Sequence, residues 1–312
     1  MTVLYSDIVN EVLIDLQGYT MQQDRATTLS AAITSSTATS VSVSSTSDIG
    51  KGIIEIGEEL MWVESFDRVG NTLTISPWGR GYLGTTAGSS YAVDSKITIS
   101  PTFPKYVVKR AINDTIQAIG ASMHTVRQIT FTYNPSITTY ELLDSSSNNV
   151  TAHAIIAAHW QEVGPTKEWL PIRRIDLESY ADIATWGGSS AVPPQTVTIR
   201  DYVTPGRTVK LLYAADPTPF DTDADVFTTK TGLPLTCKDV VVLGAIYRLL
   251  TFLDPARASQ TSPQADEIDS KRPFGSVGNV MRQIFALYTT RLNEEAKKQL
   301  QKYLPVSTTF DR

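Results

Sequence analysis

The stretch KITISPTFPKYVVKRAINDTIQAIG, from Lys96 to Gly120, changes its hydrophobic period part-way along. In Lys96-Ile97-Thr98-Ile99 apolar and polar residues alternate, the pattern of a strand with one buried face. After Pro104, the residues Val107, Val108, Ala111, Ile112, Thr115, Ile116 and Ile119 recur at helical spacing and form one apolar stripe. Pro104 suits the first helical turn, where its missing N–H leaves nothing unsatisfied. The chain therefore closes a β segment and enters a helix, helix B, over about residues 104–124. The same switch of period recurs along the chain and decides the fold class.

Upstream, twelve of the eighteen residues 30–47 are Ser or Thr, a linker-like composition. Val41 and Val43 nevertheless alternate with serines, as at the start of a strand. Ile53, Ile54 and Ile56 follow, then a turn at Gly57-Glu58-Glu59 and the apolar run Leu60-Met61-Trp62-Val63. A turn at Gly70-Asn71 precedes Thr72-Leu73-Thr74-Ile75. Short strands joined by tight turns predict a small antiparallel barrel or sandwich over about residues 38–100. Before it, Ile8, Val9, Val12, Leu13 and Leu16 predict helix A, with Ser6 as its N-cap and Gly18 as its end.

Downstream of helix B the strand pattern returns in Arg127–Tyr133, Thr138–Leu143, Trp169–Ile175, Thr196–Arg200 and Thr208–Tyr213. Gly187-Gly188, Pro193-Pro194 and Pro205-Gly206 punctuate these segments. Val150–Trp160 is open between a short helix and a buried strand. Thr236-Cys237-Lys238-Asp239 has the form of a capping box with Asp in place of Glu. It opens helix C, whose stripe is Val240, Leu243, Ile246, Tyr247, Leu250 and Leu253, and which Pro255 stops. Helix D starts near Ser262-Pro263 and is interrupted at Pro273-Phe274-Gly275, where proline removes a backbone donor. It resumes through Val277, Met281, Ile284, Phe285, Tyr288 and Leu292 to Leu304.

An amphipathic helix cannot bury its stripe alone, so helices A to D are expected to pack as one bundle. The expected fold is α+β: a discontinuous helical bundle from residues 1–29, 101–126 and 236–312, carrying two inserted antiparallel β domains at 30–100 and 127–235.

The chain has 312 residues, enough for about two domains on a prior of roughly 100–200 residues each. It is 41% hydrophobic and 19% charged, so it can build real cores. Its one cysteine, Cys237, excludes an internal disulfide framework and a multi-cysteine metal site. Three histidines, His124, His153 and His159, argue against a histidine-rich metal site. The net charge of −5 supplies no global basic field for nucleic acid. No apolar run approaches the about 20 residues that cross a bilayer, so no membrane partner is expected. The N-terminal MTVLYSDIVNEVLIDL carries acids where a signal peptide needs bases.

The motifs with catalytic associations read as structure. Gly79-Arg80-Gly81-Tyr82-Leu83-Gly84 matches GxGxxG, but it runs into Thr85-Thr86-Ala87-Gly88-Ser89-Ser90 rather than a helix. A glycine-bent structural turn at Gly79, Arg80, Gly81 and Gly84 is the expectation. Asp221-Thr222-Asp223-Ala224-Asp225 resembles the start of an EF-hand, yet Val226 stands at the sixth position and Gly232 at the twelfth. A solvated acidic loop is expected. His153 and His159 lie six residues apart, which is not the spacing that puts two ligands on one helical face. Cys237 reads as a small buried residue at a helix start. Glu58-Glu59 reads as a solvent-exposed pair on a turn. No nucleophile elbow, P-loop or H-E-x-x-H occurs, so no catalytic, cofactor or metal residues are expected and the protein is read as a non-enzyme. In the last helix Lys297, Lys298 and Lys302 follow Glu294 and Glu295 at helical spacing, which suits the helix dipole.

Several of these segments together resemble a family. IEIGEELMWVESFD (Ile54–Asp67), GRGYLGTTA (Gly79–Ala87) and YAVDSKITIS (Tyr91–Ser100) look like a β module that recurs in tailed-bacteriophage virion proteins. With FPKYVVKRAINDTIQAIG (Phe103–Gly120), RTVKLLYAADPTPF (Arg207–Phe220) and DVVVLGAIYRLLTFLDPARASQ (Asp239–Gln260), in that order, the chain resembles the head-to-tail adaptor, or connector, proteins of tailed phages. The resemblance implies a homo-oligomeric ring, a dodecamer, at the virion neck between the portal protein and the next neck or tail protein. Double-stranded DNA would pass through its lumen without specific binding, and a negatively charged wall would repel phosphates. It implies assembly in the host cytoplasm. In similar adaptors the C-terminal segment docks against the portal, which assigns the partner interface to Lys298, Lys302, Tyr303, Leu304, Val306, Phe310 and Arg312. The second β block is larger than minimal helical adaptors need. An alternative is therefore a tail-tip or fibre protein that binds a host-surface glycan through that block, with Trp160, Trp169 and Trp186 stacking on sugars. A hydrolase with a site assembled across the β domains is the third possibility.

Overall fold

A computed structural model describes residues 2–20, 24–137, 139–142, 151–164, 167–178, 195–251 and 276–302 of the chain. The described residues contain helices and antiparallel sheets in comparable amounts, a mixed α+β architecture. They divide into two compact units. One comprises residues 5–115 and 241–288; the other comprises 1–4, 116–240 and 289–312.

The first unit opens with helix α1, Tyr5–Thr20. Ile8, Val9, Val12 and Leu16 of its stripe are buried. Ser6 and Gly18 both lie inside the helix rather than at its ends. Six strands follow: β1 Arg25–Thr28, β2 Ser40–Ser42, β3 Gly52–Ile56, β4 Glu59–Asp67, β5 Thr72–Ile75 and β6 Lys96–Ile99. Strand β1 falls in a segment that the sequence assigned to the helical region. Its residues, RATT, are mostly polar, half of them exposed, and carry no apolar alternation; β1 exists because it pairs with β6.

The strands are all antiparallel in the order β1-β6-β3-β4-β5-β2. The two outer strands then meet. Leu29 bridges Val43, the Ser30 N–H donates to Ser42 O at 3.0 Å, and the Ser44 N–H donates to Thr28 O at 2.9 Å. The sheet thus closes on itself as a barrel and leaves no free edge. Leu29, Val41, Val43, Ile54, Ile56, Met61, Val63, Leu73, Ile75 and Ile97 fill its interior.

One interior position is a carboxylate. Residues 59, 61 and 63 share a face of β4 by the two-residue period, so Glu59 points inward with Met61 and Val63. It is 1% exposed. This corrects the reading of Glu58-Glu59 as a solvent-exposed pair. Arg80 from the glycine-rich turn meets it bidentately, Nε to Oε1 at 2.7 Å and Nη2 to Oε2 at 3.0 Å. The Gly81 N–H, the Gly88 N–H and the Tyr91 hydroxyl donate to the same carboxylate at 2.9–3.0 Å. The remaining guanidinium protons go to the carbonyls of Ser35, Ala38 and Gly88. Burial alone would raise the Glu59 pKa, but the Arg80, Gly88, Gly81 and Tyr91 hydrogen bonds outweigh it and hold the carboxyl below its ordinary range. Glycine is obligatory around this knot. Gly81 has φ +61°, and a Cβ there would lie 2.6 Å from Thr85 O. A Cβ on Gly79 would lie 2.8 Å from Trp62 O.

Helix α2, Lys105–Ile119, leaves the barrel directly, with the Pro104 carbonyl accepting from Val107 and Val108. It ends five residues before the expected 124, because a turn at 120–122 precedes the next strand. The outward-facing Glu55 of β3 is 4% exposed, and its Oε1 accepts the Lys105 N–H at 2.6 Å. A buried acceptor thus meets an otherwise orphan donor at the helix start. Burial pushes the Glu55 carboxyl up to about 7 against the pull of that N–H. In the same unit the Tyr5 hydroxyl donates to Lys109 O at 2.9 Å. A Cβ on Gly244 would stand 2.4 Å from Thr115 Cγ2 and 2.9 Å from Tyr288 Cε2.

The second unit carries the other β block: β7 Thr125–Thr132, β8 Thr139–Glu141, β9 Ala152–Gln161, β10 Trp169–Pro171, β11 Ile175–Glu178, β12 Thr196–Ile199 and β13 Thr208–Ala215. Of Val150–Trp160, open in sequence, residues 152–160 form most of strand β9, and Val150 lies outside the described residues. The expected strand Trp169–Ile175 is two strands in different sheets. One sheet runs β10-β9-β13-β7 and the other β11-β12-β8. Val197 and Ile199 of one share a core with Val209, Leu211 and Tyr213 of the other. A short helix α3, Phe227–Thr231, and a 3-10 turn, Leu235–Cys237, lead into helix α4, Lys238–Leu250. Helix α5 spans Ser276–Lys302. The expected start of helix D at Ser262-Pro263 and its break at Pro273 lie outside the described residues.

Two outcomes follow. Glu59→Gln leaves the Arg80 charge buried without a counterion and lowers unfolding stability by about 3–5 kcal/mol, measured by urea titration. Glu55 binds its proton more tightly in the fold, so its contribution is fully present below the ordinary value of 4.5 and is lost as pH rises through about 7. Wild type should therefore lose stability relative to Glu55→Gln between about pH 5 and about pH 8, in paired denaturation curves.

Candidate partner interface at the C-terminal helix

The final turns of α5 carry Arg291, Glu294, Glu295 and Lys298 at three- and four-residue spacing, so their side chains meet on one face. Glu295 is 3% exposed. Its Oε2 accepts the Thr236 hydroxyl at 2.8 Å, and its Oε1 accepts Lys298 Nζ at 2.5 Å and Arg291 Nη2 at 3.4 Å. Arg291 Nε also donates to Asp239 Oδ2 at 2.6 Å. These contacts correct the capping-box expectation. Thr236 lies within the 3-10 turn before the helix and gives its hydroxyl proton to Glu295, while Asp239 accepts from the Val240 N–H and from Arg291. Burial would raise the Glu295 pKa, but the hydrogen bonds from Lys298 and Thr236 and the charges of Lys298 and Arg291 hold it below its ordinary value.

Cys237 Sγ lies 4.0 Å from Glu295 Oε2 and is fully buried. Burial, and then the Glu295 charge, push the thiol up to about 12. This is the opposite of an activated nucleophile, which needs a lowered pKa and access.

One turn further on, Gln299 clasps the backbone of His124. The His124 N–H donates to Gln299 Oε1 at 3.0 Å, and Gln299 Nε2 donates to His124 O. The clasp ties α5 to the start of β7. Beside it lies a cleft of about 420 Å³ lined by Met123, Val126, Leu233 and Pro234, by the ion-paired Glu295 and Lys298, and by Lys302. Such a surface suits an apolar side chain adjacent to a carboxylate.

Lys298 and Lys302 are thus on this cleft. Tyr303, Leu304, Val306, Phe310 and Arg312, assigned with them from sequence, lie outside the described residues. Gly79, Arg80, Gly81 and Gly84 lie in the barrel knot of the other unit. Beside that knot Trp62, Trp78 and Tyr82 cluster with ring centroids 5.3–5.8 Å apart, and Trp78 is 61% exposed. The acidic loop satisfies itself. Asp225 Oδ2 accepts the N–H groups of Asp221 and Thr222, and these bonds hold its pKa down to about 2. Trp160 packs against the β core, and Lys210 Nζ sits 4.4 Å over the Trp169 ring. Trp186 lies outside the described residues. Among the described residues no helix is long and apolar enough to cross a membrane.

In sequence, His153 and His159 do not have the spacing of a ligand pair. The fold instead gathers His153 with His124 and Asp216, whose metal-ligating atoms all lie within 4.8 Å of one another. His124 and Asp216 are 29 and 63 residues from His153, so no spacing rule along the chain reveals the trio. No protein-family model and no curated protein matches the chain.

The thiol of Cys237 is expected to resist a disulfide-exchange reagent at neutral pH in the native protein. It should react with one equivalent once guanidinium unfolds the chain, read from the released chromophore.

Proposed function

We propose that this chain is a structural virion protein, a head-to-tail adaptor that forms a homo-oligomeric ring between the portal protein and the following neck or tail protein of a tailed phage. On this reading DNA passes through the lumen and no reaction is catalysed. The observation that carries it is the end of α5. The Glu295 and Gln299 contacts fix this helix end, which presents an apolar cleft bordered by Lys298 and Lys302, the described part of the segment that similar adaptors dock on the portal.

The same proposal includes a discontinuous bundle of α1, α2, α4 and α5 that carries the two inserted β domains. The Tyr5–Lys109 contact and the crowding of Gly244 between Thr115 and Tyr288 support it. Two of the buried carboxylates, Glu59 and Glu295, are in keeping with a non-catalytic role, and the third, Glu55, whose pKa rises to about 7, has one oxygen taken by the Lys105 N–H. The oxygens of Glu59 and Glu295 accept fixed donors and both pKa values are depressed, whereas a general base needs a free lone pair and a value near working pH. A ring uses heterologous contacts, so each subunit needs two different adhesive faces.

On the glycan-binding alternative, sugars would stack on the tryptophans of the second β block. Trp160 is a core contact, and one face of Trp169 is taken by Lys210.

Negative-stain microscopy with the portal protein of the same phage tests the reading. Rings that cap the portal are expected, with capping weakened by Lys298→Glu combined with Lys302→Glu. Uncapped portals, together with virions that lack this protein and still join tails, would overturn it.

A further inference from the structure

We propose that His124, His153 and Asp216 form a binding site for a first-row transition-metal ion, with Zn²⁺ as the best match. Two imidazoles and one carboxylate are borderline nitrogen and oxygen donors, the set that Zn²⁺ takes with a fourth position left open. The inference does not depend on the adaptor reading.

The site is built by the sheet. In the order β9-β13-β7, strand β13 lies between the other two. Ala215 of β13 pairs with Thr125 of β7, so His124 and Asp216 are the next residues beyond that pair. On the other side Ala214 pairs with Ala154 and Ala215 with Ala152. His153 is therefore the extra residue of a β-bulge, the device that re-aims a side chain at the end of a ladder. It brings His153 Nε2 to 2.8 Å from Asp216 Oδ1, and the His153 ring centroid to 5.0 Å from that of His124.

One further observation points to a ligand rather than to a simple ion pair. His124 Nδ1 is buried and makes no hydrogen bond. A buried polar nitrogen in that state costs free energy unless a donor or a cation meets it. His159 Nδ1 is also buried without a partner, but no trio of metal-ligating side chains includes it among the described residues. Gly120 shapes the site. A Cβ there would come within 2.7 Å of Asp216 Oδ1, so the missing side chain makes room for that carboxylate. The Gln299 clasp meanwhile fixes the His124 backbone from both sides.

The distances suit closure on an ion. Donors around a tetrahedral Zn²⁺ stand about 3.3 Å apart at bond lengths of roughly 2.0–2.1 Å. The ligand atoms already lie within 4.8 Å of one another, and His153 and Asp216, the two exposed members, can turn toward an ion beside the half-buried His124. With neutral imidazoles the trio carries one negative charge, which favours a cation. Binding would tie the ends of three adjacent strands together beside the α5 cleft.

The experiment uses the full-length protein after dialysis against a chelator, titrated with Co²⁺ as the spectroscopic probe and then with Zn²⁺. One Co²⁺ per chain is expected, with the visible absorption of a four-coordinate site that Zn²⁺ abolishes. His153→Gln and Asp216→Asn should each weaken binding by at least about tenfold, while His159→Gln leaves it unchanged. Should a variant misfold, Zn²⁺ protection of wild-type histidines from carbethoxylation, mapped by mass spectrometry, decides the matter: His124 and His153 are protected and His159 is not. Absence of a Co²⁺ spectrum, affinity that survives both substitutions, or equal labelling of His124 and His153 with and without Zn²⁺ would overturn the site.

Discussion

Glu59 is a carboxylate on the interior face of a barrel otherwise filled with Ile, Val, Leu and Met. An unpaired ion there is not tolerable, so the segment after β5 has to bring Arg80 back to it. Arg80 answers with every donor it owns, two to the carboxylate and the rest to the carbonyls of Ser35, Ala38 and Gly88. That single pairing therefore pins the Ser/Thr-rich segment before β2, the start of β4 and the loop before β6. The glycines follow from it, because the backbone passes too close to itself for a side chain at positions 79 and 81. Replacing such a pair with apolar residues is often neutral for stability elsewhere; here its oriented hydrogen bonds select one path for a long polar loop.

The second unit uses a similar device. Glu295 is buried on α5 and satisfied by Thr236, Lys298 and Arg291, so the helix end is fixed against the approach to α4. Gln299 adds a clasp that imitates strand pairing at the start of β7. Both carboxylates are held ionised by the donors crowded on them, and Glu295 also lines the cleft. Their chemistry is that of rigid positioning, which suits a protein whose proposed task is to hold partners in register.

Much of the architecture was legible because it rests on local periodicity. Thr72–Ile75 and Lys96–Ile99 are strands at the residues where the alternation places them. Helix α2 follows the stripe from Val107 to Ile119. Readings failed where a distant partner overrides local preference. Strand β1 has no apolar signal and exists through β6. Glu58-Glu59 reads as a turn until Arg80 is known to lie over Glu59. Thr236 and Asp239 have capping-box spacing, but Glu295 and Arg291, more than fifty residues on, compete successfully for them.

By itself the sequence determined the alternation of helical and β segments, the glycine turn at Gly79–Gly84 and the absence of a catalytic motif, because period and turn chemistry act over a few residues. It also placed Lys298 and Lys302 on the helix whose end borders the cleft. Only the tertiary structure decided that the first sheet closes into a barrel, that Glu59 faces inward and that β9 is a strand. It alone brought His124, His153 and Asp216 together. The reason is common to all four: burial, ladder pairing and the extra residue of a bulge depend on segments tens of residues apart, and spacing along one chain carries no record of that distance in space.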